Sequence, residues 1–361
     1  YKAAIEDAAG QTVLNWTDVD SVDTWTATGL SLSNATLYHV LLRAVDGAGN
    51  LSTTVSTNGI TVDTDSPSSG TVLDGATGDV DWANVDSVLT FTWNNFSDTL
   101  SGLSYYEYAV GTTSGGMETV SWTSASRLDS TITVSDLALT NTTTYYVSVR
   151  AIDSVANVSS TITSDGFTID LDIPTIYYVN EGSIATDLDI QNVDSTLSAS
   201  WLGTDINPGS GIDYYEIALG TTAGDSSIID WYHTDQTYTL DTLINADSLT
   251  LVDGYTYYVS ARVTDVAGNR SNVLSGDGIL IDLTPPLGGS VHDGSGTDIQ
   301  FTSSTTTLTA NWFGFSDTVS SIVLYEVAVG DDSVRIDNVV PWDSVGMSTT
   351  ITIDTLTTLM N

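Results

Sequence analysis

One sequence pattern recurs three times along the chain, and it constrains the fold more than any other feature. The copies, which begin at residues 37, 144 and 255, read LYHVLLRAVDGAGNLS, TYYVSVRAIDSVANVSS and YTYYVSARVTDVAGNRS. The arginines that they share, Arg43, Arg150 and Arg262, are separated by 107 and 112 residues. This period is too long for a solenoid coil or a propeller blade and suits a whole small domain. The sequence therefore predicts a tandem array of domains.

The repeat boundaries predict two complete domains flanked by two incomplete ones. We expect an incomplete repeat over 1–62, complete repeats over 63–170 and 171–282, and an incomplete repeat over 283–361. The first of these would contain only C-terminal strands and the last only N-terminal strands. A fragment of a longer array explains this, as does strand exchange between subunits. The fragment is favoured because proteins rarely leave long strand edges unpaired.

Within each repeat, apolar and polar residues alternate with the period of a half-buried strand. In the segment VLTFTW, Leu89, Phe91 and Trp93 share one face, and the equivalent segments contain Trp201 and Trp312. Turns rich in Gly, Asn, Asp and Ser separate these segments, and no window has the apolar period of an amphipathic helix. The pattern predicts an all-β chain of tandem antiparallel β-sandwich domains, with a barrel as the weaker alternative.

These segments resemble the fibronectin type III family and the Ig-like repeats of large bacterial surface and secreted proteins. The residues that carry the resemblance in the second repeat are Leu89, Trp93, Leu137, Leu139, Tyr145, Val147, Val149 and Ala151. The resemblance covers essentially the whole chain, but an additional segment, SSGTVLDGATGDVDWANVDS, precedes the first core strand. It implies a sandwich fold and the spacer or adhesive roles that are usual in the family. The family topology also implies that Glu107 lies opposite Arg150 and Glu216 opposite Arg262.

The composition is strongly acidic. Only 7 Lys and Arg residues stand against 46 Asp and Glu, which gives a formal net charge of -39. Such a charge repels nucleic acids and anionic membranes and favours cation binding. The chain has no cysteine, and it has no apolar run long enough to span a bilayer. We expect an extracellular or cell-surface location, no nucleic-acid partner, and no membrane insertion of this segment.

Acidic residues collect at the predicted junctions between repeats. The resemblance implies that the last strand of one repeat ends beside two loops of the next. The Asp and Asn side chains there offer oxygen atoms, which are the ligands that calcium prefers. The predicted calcium ligands are Asp63, Asp65, Asp98, Asp153 and Asn157 at the first junction, Asp170, Asp172, Asp205, Asp265 and Asn269 at the second, and Asp282 and Asp317 at the third. Thr284 replaces the second linker aspartate at the third junction. The alternative is that these residues only form turns.

Recurring aromatic residues suggest a second type of site. A stacking platform for sugars would use Trp122, Trp231, Trp342, Tyr146 and Tyr258. The alternative is that these amphipathic rings only cover the edge of a sheet. The sequence favours the second interpretation.

No constellation typical of catalysis is present in the sequence. There is no cysteine nucleophile, the histidines do not recur at equivalent positions, and no Gly-rich loop leads from a strand into a helix. We therefore predict a non-enzymatic spacer or stalk with calcium-stiffened junctions. The alternative is a carbohydrate- or cell-binding adhesin module, or the accessory region of a secreted enzyme. The predicted partners are further copies of the repeat in a longer chain or filament, glycans, and a host or neighbouring cell surface.

Overall fold

The structure is a computed structural model that describes residues 1–183, 186–234, 242–244, 249–331 and 337–354. All regular elements in these ranges are β-strands. The described part of the chain contains no helix with the length and apolar character needed to cross a bilayer. Two compact units are formed: unit 1 comprises Tyr1–Asp172, Asn207–Ser210 and Val266–Asn269, and unit 2 comprises Ile173–Ile206, Gly211–Asp265 and Arg270–Asn361.

Unit 1 contains fourteen strands in the part that the structure describes. They are β1 (Lys2–Asp7), β2 (Thr12–Asp18), β3 (Leu37–Arg43), β4 (Val55–Ser56), β5 (Ile60–Thr61), β6 (Thr71–Leu73), β7 (Trp82–Ala83), β8 (Leu89–Asn94), β9 (Leu103–Gly111), β10 (Val120–Ser126), β11 (Thr131–Val134), β12 (Thr144–Asp153), β13 (Ile162–Thr163) and β14 (Phe167–Ile169). The first sheet has the order β2-β1-β3-β4, with β5 also paired to β3. The next two have the orders β10-β9-β12-β14-β7, with β13 beside β12, and β11-β8-β6.

The second repeat is a β-sandwich whose core lies between these last two sheets. Phe91 and Trp93 of β8 belong to the same buried cluster as Val147 and Val149 of β12. Phe91 and both valines are completely buried, as the alternation of apolar residues predicts. The edge of the Trp93 ring packs against Tyr106, with ring centroids 5.4 Å apart.

Unit 2 repeats this arrangement. Its strands are β15 (Thr175–Ser183), β16 (Thr186–Asp187), β17 (Ile190–Gln191), β18 (Leu197–Thr204), β19 (Ile212–Gly220), β20 (Ile229–Thr234), β21 (Thr242–Ile244), β22 (Thr256–Asp265), β23 (Leu274–Ser275), β24 (Ile279–Ile281), β25 (Ser290–Asp293), β26 (Leu308–Phe313), β27 (Tyr325–Val329), β28 (Val340–Gly346) and β29 (Thr350–Ile353). The sheets of the third repeat have the orders β16-β15-β18-β21 and β17-β24-β22-β19-β20, with β23 beside β22. Two smaller sheets, β25-β26-β29 and β27-β28, follow. The all-β tandem sandwich class is confirmed.

The additional segment before the first core strand crosses from one sheet to the other. In the second repeat β6 pairs with β8 in one sheet, and β7 then pairs in parallel with β14 in the opposite sheet. In the third repeat β15 and β17 do the same with β18 and β24. We call the stretch between these strands, residues 74–81 in the second repeat, the crossover loop.

The expected pairing of charged residues across neighbouring strands is present in both complete repeats. Glu107 of β9 lies opposite Arg150 of β12, and the Arg150 Nε donates to Glu107 Oε2 at 2.8 Å. Glu216 likewise lies opposite Arg262, whose Nε donates to it at 2.9 Å. These pairs stand on the outer face of the sheet, where they reinforce strand register.

Candidate functional site

The first junction brings three carboxylates together within unit 1. Asp63 follows β5, Asp98 follows β8, and Asp153 is the last residue of β12. Each offers one oxygen within 4.8 Å of those of the other two. Asp153 is buried, and the other two are half-buried. Three converging carboxylate oxygens of this kind suit a hard divalent cation.

Hydrogen bonds fix the orientation of these carboxylates. Asp98 Oδ1 accepts the backbone N–H groups of Leu100, Ser101 and Gly102, at 3.1, 2.9 and 2.6 Å. Asp153 Oδ1 accepts the N–H of Asn157 at 2.8 Å, and Asp153 Oδ2 accepts from its side-chain amide at 2.7 Å. Both aspartates therefore form their own turns, as the alternative interpretation expects. The turns also aim both side chains at the junction.

Asp63 joins the end of the first repeat to both loops of the second. Its Oδ2 accepts the N–H of Ser101 at 3.0 Å, and its carbonyl oxygen accepts from the Asn157 amide at 3.3 Å. One linker residue is thus held by the loop after β8 and the loop after β12. The linker and both loops are therefore joined by direct hydrogen bonds.

The charge state of Asp153 depends on opposing effects. Burial alone would raise the pKa of the Asp153 carboxyl, but hydrogen bonds from the Asn157 side chain and from the backbone N–H groups of Asn157, Val155 and Ala156 outweigh it. The pKa of Asp153 therefore lies below its ordinary value. The group is ionised at neutral pH, as a cation ligand must be.

In the first two linkers, the second aspartate makes contacts different from those of the first. The carboxylate of Asp65 accepts a hydrogen bond from Asn34 of the preceding repeat at 2.6 Å. Asp172 accepts one from Asn141 at 2.9 Å in the same way. Asn34 and Asn141 also accept backbone N–H groups of the linkers that follow them. These aspartates therefore fasten each linker to its own repeat.

The second junction shows similar local contacts in each unit. In unit 1, Asp170 is completely buried, its Oδ2 accepts the N–H of Ser210 at 2.6 Å, and its carbonyl oxygen accepts from the Asn269 amide at 2.9 Å. In unit 2, Asp205 accepts the N–H of Gly211 at 2.8 Å, and Asp265 is buried at the end of β22. Asp170 and Asn269 thus repeat the contacts of Asp63 and Asn157.

The third junction has fewer acidic groups than the first. Asp282 accepts the N–H of Thr284 at 3.0 Å, and Asp317 accepts those of Val319 and Ser320 at 2.9 and 2.7 Å. Neither aspartate belongs to a group of three carboxylates within the described ranges. Thr284 instead donates its hydroxyl to Asp253. Asp282 and Asp317 therefore remain predicted ligands without a third carboxylate beside them.

The recurring tryptophans lie against arginines. The guanidinium carbon of Arg150 lies 4.2 Å from the centre of the Trp122 ring, and Arg262 covers Trp231 at the same distance. Arg43 lies 4.0 Å above Trp16 in the first repeat. Because Arg150 and Arg262 also pair with glutamates, the two complete repeats each carry a layered contact of glutamate, arginine and tryptophan. In the first repeat Lys2 lies opposite Arg43 instead. One face of these rings is therefore occupied by protein.

The other residues of the predicted aromatic platform have different surroundings. Tyr146 and Tyr258 are half-buried, and their rings pack so closely on Gly166 and Gly278 that an added Cβ would lie 2.7 Å from a ring carbon. Trp342 is 52 % exposed. The platform stays a prediction, with Trp342 as its most accessible ring.

Two further carboxylate groups were not anticipated from the sequence. They consist of Asp74, Asp79 and Asp165 in unit 1, and of Glu181, Asp187 and Asp277 in unit 2. Both lie where the additional segment of a repeat approaches the start of its last strand, β14 in unit 1 and β24 in unit 2. The sequence feature that could have indicated them is Asp-Gly or Glu-Gly followed by a second Asp, which recurs in the additional segment.

Comparison with known proteins finds a bacterial protein that is similar to most of the chain. The chain is 29% identical over 325 residues to exoglucanase B of Cellulomonas fimi, a match that covers 85% of this chain and 27% of that protein. The chain thus spans about a quarter of the length of this relative. No protein-family model matches the chain.

The similar solved structures are fibronectin modules. The fibronectin(III)-like modules of Clostridium thermocellum CbhA align with a TM-score of 0.37 and 12% identity, over 58% of this chain and 94% of theirs. The FN1-FN3 domains of chicken CNTN1 align with a TM-score of 0.33 and 16% identity, over 76% of this chain and 90% of theirs. Both solved structures are modules of the fibronectin type III family that the sequence resembles.

Proposed function

We propose that the chain is a non-catalytic structural region of a longer extracellular surface or secreted protein, in which it acts as a spacer. The observation that carries the proposal is the first junction, where Asp63 at the end of one repeat is hydrogen-bonded to two loops of the next. Such a contact restricts how one domain turns on its neighbour. Repetition of the same unit then sets the reach of the array without a separate site in each domain.

A divalent cation, calcium by its preference for oxygen ligands, stiffens this junction in our proposal. Asp63, Asp98 and Asp153 place three carboxylate oxygens within 4.8 Å of one another. Without a cation these like charges repel across a distance shorter than the screening length of about 8 Å at physiological salt. Calcium would neutralise the repulsion and connect residues of both repeats. The net charge of -39 also favours the binding of cations.

Small-angle X-ray scattering of the full chain, with excess calcium and then with chelator, tests this proposal. We expect calcium to increase the maximum dimension and to narrow the distribution of conformations. The double variant Asp63→Asn and Asp98→Asn should respond less, because it lacks two junction carboxylates. The matched control is Asp81→Asn with Asp136→Asn, which removes the same charge elsewhere. Identical scattering with calcium and with chelator would refute the stiffened junction.

A second candidate function is favoured by the similarity to exoglucanase B. In this case the chain would be an accessory region of a secreted enzyme that binds carbohydrate through its exposed aromatic residues. Trp342 is the most exposed of the platform tryptophans, whereas arginines cover one face of Trp122 and Trp231. Binding to a glycan array that is lost in Trp342→Ala, with unchanged circular dichroism, would support this function. Absence of binding by the parent chain would exclude it.

A further inference from the structure

The crossover loop of the second repeat carries a buried carboxylate that is only half satisfied. Asp74 follows β6 directly and is 1 % exposed. Its Oδ2 accepts the backbone N–H of Gly166 at 3.0 Å, whereas its Oδ1 is buried without a hydrogen-bond partner. A buried polar atom without a partner is costly and is rare in folded proteins. Asp74 therefore requires either a proton or a ligand at this oxygen.

Two exposed carboxylates converge on the same point. Asp79 lies later in the crossover loop, and Asp165 lies just before β14. Residues that are about ninety positions apart in the sequence therefore lie close together there. Each of the three offers an oxygen within 4.8 Å of those of the others. None of the ion pairs found among the described residues involves them. The negative charge of the cluster is thus not balanced by a lysine or arginine in an ion pair.

The third repeat has the same arrangement with a longer side chain at the buried position. Glu181 is completely buried, and its two oxygens accept the N–H groups of Val259 at 2.8 Å and Gly278 at 3.4 Å. Asp187 and Asp277 occupy the places of Asp79 and Asp165. The exposed members stand in similar sequence contexts, DVD and DLD in one case and DGFTID and DGILID in the other, and the geometry of one buried and two exposed carboxylates recurs. Turn formation alone does not require an acid at the buried position.

The chemistry of the cluster identifies the class of ligand. Three carboxylates supply only hard oxygen ligands, which suit calcium, and calcium completes its 6 to 8 ligands with carbonyl oxygens and water. Burial, with a smaller contribution from the charges of Asp79 and Asp165, raises the pKa of Asp74 to about 6. A bound cation would offset the negative charge of the three converging carboxylates.

We propose that each complete repeat holds a divalent cation, calcium by its ligand chemistry, between the additional segment that precedes its first core strand and the start of its last strand. The ligands are Asp74, Asp79 and Asp165 in the second repeat and Glu181, Asp187 and Asp277 in the third. This site lies inside a domain and does not depend on the junction cation of the proposed function. It ties the additional segment to the opposite sheet of its own repeat, where the chain has no disulfide to do so.

Isothermal titration of the full chain with calcium at neutral pH, after treatment with chelator, tests this inference. The double variant Asp79→Asn and Asp165→Asn changes exposed residues only, and so does Asp187→Asn with Asp277→Asn. Each should lose one calcium equivalent while retaining its near-ultraviolet circular dichroism. The control, Asp81→Asn with Asp136→Asn, removes the same charge from exposed positions outside the cluster and should keep the stoichiometry of the parent chain.

The junction variant Asp63→Asn with Asp98→Asn separates this inference from the proposed function. It should retain both crossover equivalents, whatever happens to the scattering response of the junction. Unchanged stoichiometry in both crossover variants would overturn the inference, and so would a parent chain that takes up no calcium. A loss that is equal in the control would overturn it as well, because it would reflect net charge alone.

Discussion

Replacing Asp74 with Asn should remove a large pH dependence from the stability of the second repeat. Burial raises the pKa of Asp74 from 3.8 to about 6, so the folded repeat holds this proton more tightly than the unfolded chain does. The stability that protonation confers is present below pH 3.8 and is lost as pH rises to about 6. A shift of about 2 units at 1.36 kcal/mol each amounts to about 3 kcal/mol. In calcium-free buffer Asp74→Asn should avoid this loss.

Hydrogen–deuterium exchange with mass spectrometry of peptides from β12 measures the free energy of opening of this repeat alone. We expect Asp74→Asn to approach the parent chain in stability near pH 4 and to exceed it by about 3 kcal/mol at pH 7, after correction for intrinsic exchange rates. Glu118, whose pKa is lowered from 4.5 to about 2 by hydrogen bonds from Thr112, confers stability that is present above pH 4.5 and is lost as pH falls through about 2. Its contribution is common to both proteins and cancels.

Two outcomes would refute this reasoning. One is a parallel pH dependence in Asp74→Asn and the parent chain, which would show that Asp74 titrates alike in the folded and unfolded states. The other is a stability difference between Asp74→Asn and the parent chain that favours the parent more at pH 7 than at pH 4. Asp136→Asn, a change at an exposed turn, controls for the removal of one negative charge.

Three further substitutions test the packing of the second repeat. Phe91→Ala empties a completely buried site and should destabilise the repeat by about 3–5 kcal/mol in urea denaturation. Arg150→Ala removes the cation that covers Trp122 and should cost about 0.5–2 kcal/mol, with a change in tryptophan fluorescence. Gly70→Ala places a Cβ 1.9 Å from the carbonyl oxygen of Asn94, so β6 must move, and we expect a loss of about 1–3 kcal/mol in the same denaturation assay. Wild-type stability in any of the three would contradict the packing described.

The sandwich could be predicted because its determinants are local and periodic. The alternation of apolar and polar residues along β8 and β12 indicates which side chains face inward, and Phe91 and Val147 are buried as it predicts. The resemblance to the family predicts which strands are neighbours. The pairing of Glu107 and Arg150 then follows from their positions on neighbouring strands. Such features need only the period of a strand and the order of the strands.

The candidate sites were less predictable because they depend on loops. Asp65 was expected to share a site with Asp63, but its side chain accepts a hydrogen bond from Asn34 of the preceding repeat. The linker sequence does not indicate which way this side chain points. Asp74 and Asp165 meet across about ninety residues through a crossover loop that lies outside the usual family pattern. No periodicity links such residues. Only the fold brings them together.

The most direct test of the cation-bound junction is an anomalous difference map from crystals of the chain grown with calcium. We expect a peak about 2.3–2.6 Å from oxygens of Asp63, Asp98 and Asp153, the usual distance for calcium. Such a peak would place a cation between the end of one repeat and the loops of the next. Well-ordered carboxylates at saturating calcium without a peak between them would contradict the proposed junction and leave Asp98 and Asp153 as turn-forming residues.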